Sequence, residues 1–143
     1  LGVDRWLAIT GAYANYQGAL CIVDCGTAIT LDAIDAEGQH WGGMIMAGWS
    51  MMQLSLQQGT AALAKKESKS IFALADNTQS GIDSGGLAAI QGFIQSGLSF
   101  MQEPCQLILT GGDALFLQQS LGLDAVIDVD LVFKGLLLEV ECA

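Results

Sequence analysis

Ile22-Val23-Asp24-Cys25-Gly26-Thr27-Ala28-Ile29-Thr30-Leu31-Asp32-Ala33-Ile34-Asp35 is the stretch whose reading decides the fold. It predicts a buried strand, a tight Gly-Thr turn and a second strand. An acid, a glycine and a hydroxyl gather at the turn. A strand ending in Asp-x-Gly-Thr brings backbone N–H groups and a threonine hydroxyl against a phosphate. Glycine is needed where a Cβ would block that approach. The pattern points to a nucleotide phosphate as partner and to phosphoryl transfer as the chemistry.

Working outward, Leu20 to Cys25 and Ala28 to Asp35 pair as a hairpin. Ala36-Glu37-Gly38-Gln39 supply the next turn, and His40 to Met46 return as a third strand, completing an antiparallel meander. Upstream, Asp4 to Tyr16 reads as a helix with Trp6, Leu7, Ile9, Tyr13 and Tyr16 at its apolar positions. Downstream, Gly48 breaks the strand, and Met51 to Ala64 reads as a helix interrupted by Gly59. Ala64 to Thr78 is polar and irregular, an expected loop. Gly81 to Gln102 carries a long apolar helical period, with Pro104 just beyond its end. Then come a strand at Gln106 to Thr110, a Gly111-Gly112-Asp113 turn, a helix at Ala114 to Ser120, a strand at Ala125 to Val129 and a closing helix at Asp130 to Glu141. This order predicts an α/β domain in which the meander is joined to parallel strands and flanked by helices. There is no internal repeat, and the loop around residues 65–78 reads as an excursion within one domain.

The chain has 143 residues, 52% of them hydrophobic, enough for one sizeable core. Fifteen acidic residues against five basic ones give a net charge of −10. That balance opposes a nucleic-acid backbone, which binds clustered Lys and Arg, and opposes anionic membrane surfaces. The basic cluster Lys65, Lys66 and Lys69 is interrupted by Glu67 and reads as a solvated helix end or loop. Cys21, Cys25, Cys105 and Cys142 form no Cys-x-x-Cys pair, and His40 is the single histidine, so no zinc site is expected. Cys21 and Cys105 read as small core residues in a reducing cytosol. No signal peptide and no apolar run of membrane-spanning length are visible, which predicts a cytoplasmic protein. The absence of an initiator Met before Leu1 suggests part of a longer chain.

Several motifs line up in one order: Gly2-Val3-Asp4-Arg5; Asp24-Cys25-Gly26-Thr27-Ala28; Gly42-Gly43-Met44-Ile45-Met46-Ala47-Gly48; Asn77-Thr78; Thr110-Gly111-Gly112-Asp113; and Leu131-Val132-Phe133-Lys134-Gly135-Leu136. Each is common alone. As an ordered set they resemble the C-terminal half of type III pantothenate kinases, members of the superfamily of actin, sugar kinases and acetate kinase. The resemblance covers essentially the whole chain. It implies a ribonuclease-H-like (actin-like ATPase) domain spanning residues 1–143, one of two in an enzyme that holds ATP in the cleft between them. The family's first domain, with its Asp-x-Gly-Asn-Thr motif, is absent from this sequence. The implied reaction is ATP-dependent phosphorylation of pantothenate to 4'-phosphopantothenate, the first step of coenzyme A synthesis, with Mg²⁺ and K⁺ or NH₄⁺ as cofactors and a homodimer as the assembly. The alternative is a non-catalytic relative acting as an accessory or regulatory protein.

Residue by residue, the resemblance makes Asp4 the general base, within a substrate-binding segment Gly2, Val3, Asp4 and Arg5. Read from the residues alone, a helix N-cap is the favoured reading of Asp4, and the resemblance turns it to the base. Arg5 would fork onto the pantothenate carboxylate or amide oxygens, its bland reading being a surface ion pair. Asp24 matches the monovalent-cation ligand, or else caps its turn. Gly26 and Thr27 match the ATP-contacting turn, Thr78 a pantothenate contact, and Gly111 and Gly112 the adenosine-side turn. Ala47 stands where the family usually has proline; alanine leaves that backbone looser without forbidding its conformation. Met44, Met46, Met51 and Met52 read as core packing or subunit interface.

Overall fold

The computed structural model describes residues 1–57 and 72–142. Helix α1 (Val3–Asn15) leads into strands β1 (Ala19–Cys25), β2 (Ala28–Ile34) and β3 (His40–Ala47), then α2 (Trp49–Gln57) and α3 (Thr78–Ser99). Strand β4 (Cys105–Thr110), α4 (Ala114–Leu121), β5 (Val126–Ile127) and α5 (Leu131–Glu141) complete the chain. The sheet has the order β3-β2-β1-β4-β5. The pairs β1–β2 and β2–β3 are antiparallel, whereas β1–β4 and β4–β5 are parallel. The meander joined to parallel strands is therefore present as expected.

The central strands are buried on both faces, and residue alternation divides the core in two. Leu20, Ile22, Ile34 and Ile108 pack with Ala8, Ile9 and Ala12 of α1 and Leu131 of α5. Cys21, Val23, Cys25, Leu31 and Leu109 pack on the other face with Leu87, Ile90 and Ile94 of α3 and Leu117 of α4. Met44, Met46 and Met52 lie against this second cluster, while Met51 is exposed. Helices α1 and α5 cross backbone to backbone: a Cβ on Gly135 would run into the Leu7 carbonyl, and one on Gly11 into the Leu131 carbonyl. That close approach seats α1, and with it Asp4 and Arg5, over the first face.

Three boundaries differ from the sequence reading. Helix α3 starts at Thr78, because Asn77 accepts the Ser80 N–H and caps it; Thr78 thus opens a helix instead of closing a loop. It ends at Ser99, where the Phe100 and Met101 N–H groups turn back to Gly97 and Leu98 in tighter i→i+3 bonds. Strand β5 has two residues, since the Asp128 carboxylate takes the Asp130 N–H in a local turn that stops the ladder. The expectations for Gly59, for the helix through Ala64 and for Lys65, Lys66 and Lys69 fall outside the described residues. No described helix is long and apolar enough to cross a membrane.

Candidate active site

The β1–β2 connection forms the turn the sequence calls for. Cys25 pairs with Ile29, and the Gly26 N–H donates to the Ala28 carbonyl across the intervening residues. Strand alternation sends Cys25 into the α3-side core and Asp24 to the α1 side, so the thiol is shielded from the face that carries the acid. Burial, then the charges of Asp24 and Asp113, push the Cys25 thiol up to about 12, leaving it an inert core group. The end of β3 folds back onto the turn: the Gly48 N–H donates to the Thr27 carbonyl at 2.8 Å, and a Cβ on Gly48 would strike the Gly26 and Thr27 carbonyls. Ala47 pairs with Ala28 at this junction, so alanine is accommodated where the resemblance leads one to expect proline.

The β4–α4 turn meets the same place. Gly111 has a positive φ of 91°, and a Cβ there would lie 2.6 Å from Asp24 Oδ1 and 2.7 Å from the Cys25 carbonyl oxygen. Glycine at 111 is therefore required by backbone conformation and by contact together. Gly112 faces open space. The Asp113 N–H donates to the Cys25 carbonyl, which ties the two turns together, and burial pushes the Asp113 carboxyl up.

Asp4 stands in the first turn of α1, but Gly2 is the capping residue and no side chain caps this helix. The N-cap reading of Asp4 is thus not what the fold uses, and its exposed carboxylate is free for other work. Its charge reaches Asp24: burial first, and the Asp4 charge second, push the Asp24 carboxyl above its ordinary value. Among the described residues no hydrogen bond or ion pair compensates either acid. Two facing carboxylates beside a glycine turn are suited to share a cation. No described group of three or more His, Cys, Asp or Glu forms a complete metal cage, so substrate phosphates or water would supply further ligands.

Arg5 turns the other way along the sheet. Its Nε donates to Asp32 Oδ2 at 2.9 Å and its Nη2 to Asp32 Oδ1 at 2.6 Å, while His40 Nε2 donates to Oδ1 at 2.7 Å. The hydrogen bond to Asp32 raises the Arg5 pKa above an already high value, against the opposing pull of burial. Asp32, His40 and Asp113 carry no assignment in the sequence reading. The available signal was a single acid inside the otherwise apolar run Ala28-Ile29-Thr30-Leu31-Asp32-Ala33-Ile34.

Thr78 is not brought to this cluster. It lies at the start of α3, on the other side of the sheet from α1, roughly 12 Å of helix before the point where Gly86 crosses Trp49. There it lines a cavity of about 540 Å³ with Met52, Gln53, Gly81 and Ile82. The helix α2 beside it exposes Met51, Leu54 and Leu56.

The class of protein comes first from the fold. The activator of 2-hydroxyisocaproyl-CoA dehydratase from Clostridium difficile, solved with bound ADPNP, matches with a TM-score of 0.56 over 92% of this chain and 63% of that one, at 8% identity. This likeness shows the fold alone, an α/β fold of the actin-like ATPase type. A conserved Campylobacter jejuni protein, described as a transcriptional activator of the Baf family, matches at TM-score 0.76 and 28% identity over 99% of this chain and 64% of that one. The family model for type III pantothenate kinase matches residues 1–99. The type III pantothenate kinase of Laribacter hongkongensis (strain HLHK9) is 39% identical over 140 residues, covering 95% of this chain and 58% of that protein. This chain belongs to the type III pantothenate kinase family, and it spans less than two thirds of the length of such relatives.

Proposed function

We propose that this chain is the C-terminal domain of a two-domain kinase that transfers the γ-phosphoryl group of ATP to the primary alcohol of pantothenate, giving 4'-phosphopantothenate and ADP. Family membership supports the reaction, and one observation carries the reading onto these residues. Asp4 caps nothing in its own helix, its charge reaches Asp24, and Asp24 sits against Gly111 where the Gly26-Thr27 and Gly111-Gly112 turns converge.

Asp4 orients the pantothenate hydroxyl and accepts its proton as the oxygen bonds to the γ-phosphorus. The bond from that phosphorus to the β,γ-bridging oxygen breaks, and ADP leaves with the electron pair. The Gly26-Thr27 turn lies against the phosphates, and the Gly111-Gly112 turn leaves room for the nucleoside side. Asp24, with Asp4 beside it, would hold K⁺ or NH₄⁺, and Mg²⁺ would ride on the phosphates. These cations offset the charge that a chain with one arginine and few lysines leaves unmet. Gly2 and Val3 shape the approach to Asp4, and Arg5 binds the acyl end of pantothenate. Thr78, on the far side of the sheet, reaches a substrate through a second copy of the chain, and the exposed apolar side chains of α2 fit such a homodimer. The setting is cytoplasmic, in keeping with four free thiols.

The test is pantothenate-dependent ADP release from the full-length protein, the chain extended upstream of Leu1 to the length of its relatives, in K⁺ and in Na⁺ buffer. Turnover in K⁺ that falls sharply in Na⁺ is the expected result. A folded protein that releases no pantothenate-dependent ADP in either buffer contradicts the proposal.

A further inference from the structure

Asp32 lies on β2 opposite Ile22 and is buried, with 4% of its side chain exposed. Both of its oxygens are committed: Oδ2 to Arg5 Nε, and Oδ1 to Arg5 Nη2 and His40 Nε2. The fork takes one edge of the guanidinium. The other edge, with both hydrogens of Nη1 and one of Nη2, keeps its donors for a ligand.

The local backbone is arranged around this contact. Gly43 pairs directly with Asp32 across the β2–β3 ladder, and a Cβ there would strike Arg5 Nη2, Asp32 Oδ1 and the Leu31 carbonyl. The absence of a side chain at 43 is what lets the guanidinium reach Asp32. At the start of β3 the register slips by one residue between Ala33 and Ile34, so that Gly42 (φ 119°) and His40 face neighbouring β2 residues with Trp41 as the extra one. Such a bulge re-aims a side chain, and here it brings His40 onto Asp32. Asp24 and Asp32 are diagonal neighbours, separated by two positions along adjoining strands, roughly 7–8 Å.

We infer that Asp32 and His40 are positioning residues. They fix Arg5 against β2, with its free edge presented to the acyl end of the substrate. This inference rests on the proposed role of Arg5 in binding pantothenate. A buried ion pair is weak evidence for a purely stabilising purpose, whereas a glycine and a bulge that both serve one guanidinium point to orientation.

The test is a double-mutant cycle on the KM for pantothenate in the full-length protein, with the KM for ATP as the control. Arg5→Ala is expected to raise the pantothenate KM at least about tenfold, and Asp32→Asn by about the same factor, through loss of charge-assisted bonds. The double variant should match Arg5→Ala alone, because Asp32 acts through Arg5. His40→Gln, at an exposed position that folding tolerates, should raise the KM about threefold and also add nothing to Arg5→Ala. It keeps the cycle informative if Asp32→Asn fails to fold. Effects of Asp32→Asn or His40→Gln that multiply in full onto Arg5→Ala, or that move both KM values equally, would overturn the inference alone. An unchanged pantothenate KM in Arg5→Ala would overturn the Arg5 assignment and the inference with it.

Discussion

Asp24 and Asp128 both stand at strand ends, and both are withdrawn from solvent, but their surroundings are opposite. Asp128 is 7% exposed and accepts hydrogen bonds from the Tyr16 hydroxyl at 2.7 Å, Lys134 Nζ at 2.6 Å and the Asp130 N–H at 3.1 Å. Burial pushes its carboxyl up, but these donors outweigh burial and leave it below its ordinary value. Asp24 has no such donor among the described residues, and Asp4 adds a like charge, so its carboxyl rises. The fold completes one acid and leaves the other without a donor among the described residues. An uncompensated carboxylate is tolerated where it is used, and its cost is met by ordinary packing elsewhere.

The largest expected effect lies at the uncompensated end. Asp4→Asn should lower turnover of the full-length protein by about 10²–10⁴-fold while leaving ATP affinity and melting temperature nearly intact, since the side chain caps nothing and, in the proposed role, is needed only for proton transfer. Steady-state kinetics read this, and unchanged turnover would remove Asp4 from its role. Next comes Gly111→Ala. Its Cβ would meet Asp24 and the Cys25 carbonyl from a left-handed backbone, so the KM for ATP should rise and stability should fall by about 1–3 kcal/mol. An alanine variant with wild-type melting and ATP kinetics would show that the turn does not need its observed shape.

The smallest effect concerns the completed acid. Asp128 has a folded pKa below its ordinary value of 3.8, so folding favours its ionised form. That contribution is fully present above the ordinary value and is lost as pH falls through the folded one. Chemical denaturation between pH 6 and 2 should therefore show an acid-side loss of stability that is shallower in Asp128→Asn. Because Lys134 is 37% exposed, solvent screens the ion pair, and the variant should cost only about 1–2 kcal/mol at neutral pH. An acid limb identical to that of wild type would contradict the linkage.

What could be read from the residues followed physical lines. The apolar runs at Leu20 to Cys25 and Ala28 to Ile34, punctuated by the Gly26-Thr27 and Glu37-Gly38 turns, made the meander legible. The Asp24-Cys25-Gly26-Thr27 turn was legible because a glycine and a hydroxyl stand between two apolar runs. The Asp32–Arg5–His40 cluster was not legible, since it depends on a bulge at Gly42 and a strand pairing that sets Gly43 beside Asp32. Neither has a local signature. The start of α3 was read late, at Gly81 instead of Thr78, because the cap at Asn77 lies before an apolar period that begins only at Ile82. The length of β5 was overestimated because Val129 continues the apolar run after the backbone has already turned at Asp128.

The most direct test of the contrast sets Asp24→Asn beside Asp128→Asn in the full-length protein, with turnover in K⁺ buffer and melting temperature measured on the same preparations. The account predicts that Asp24→Asn loses at least about tenfold in turnover with a melting temperature equal to or above that of wild type, since a buried and repelled charge has been removed. Asp128→Asn should keep turnover and melt lower. Asp24→Asn melting well below wild type with turnover preserved would contradict it, and would make Asp24 a structural residue.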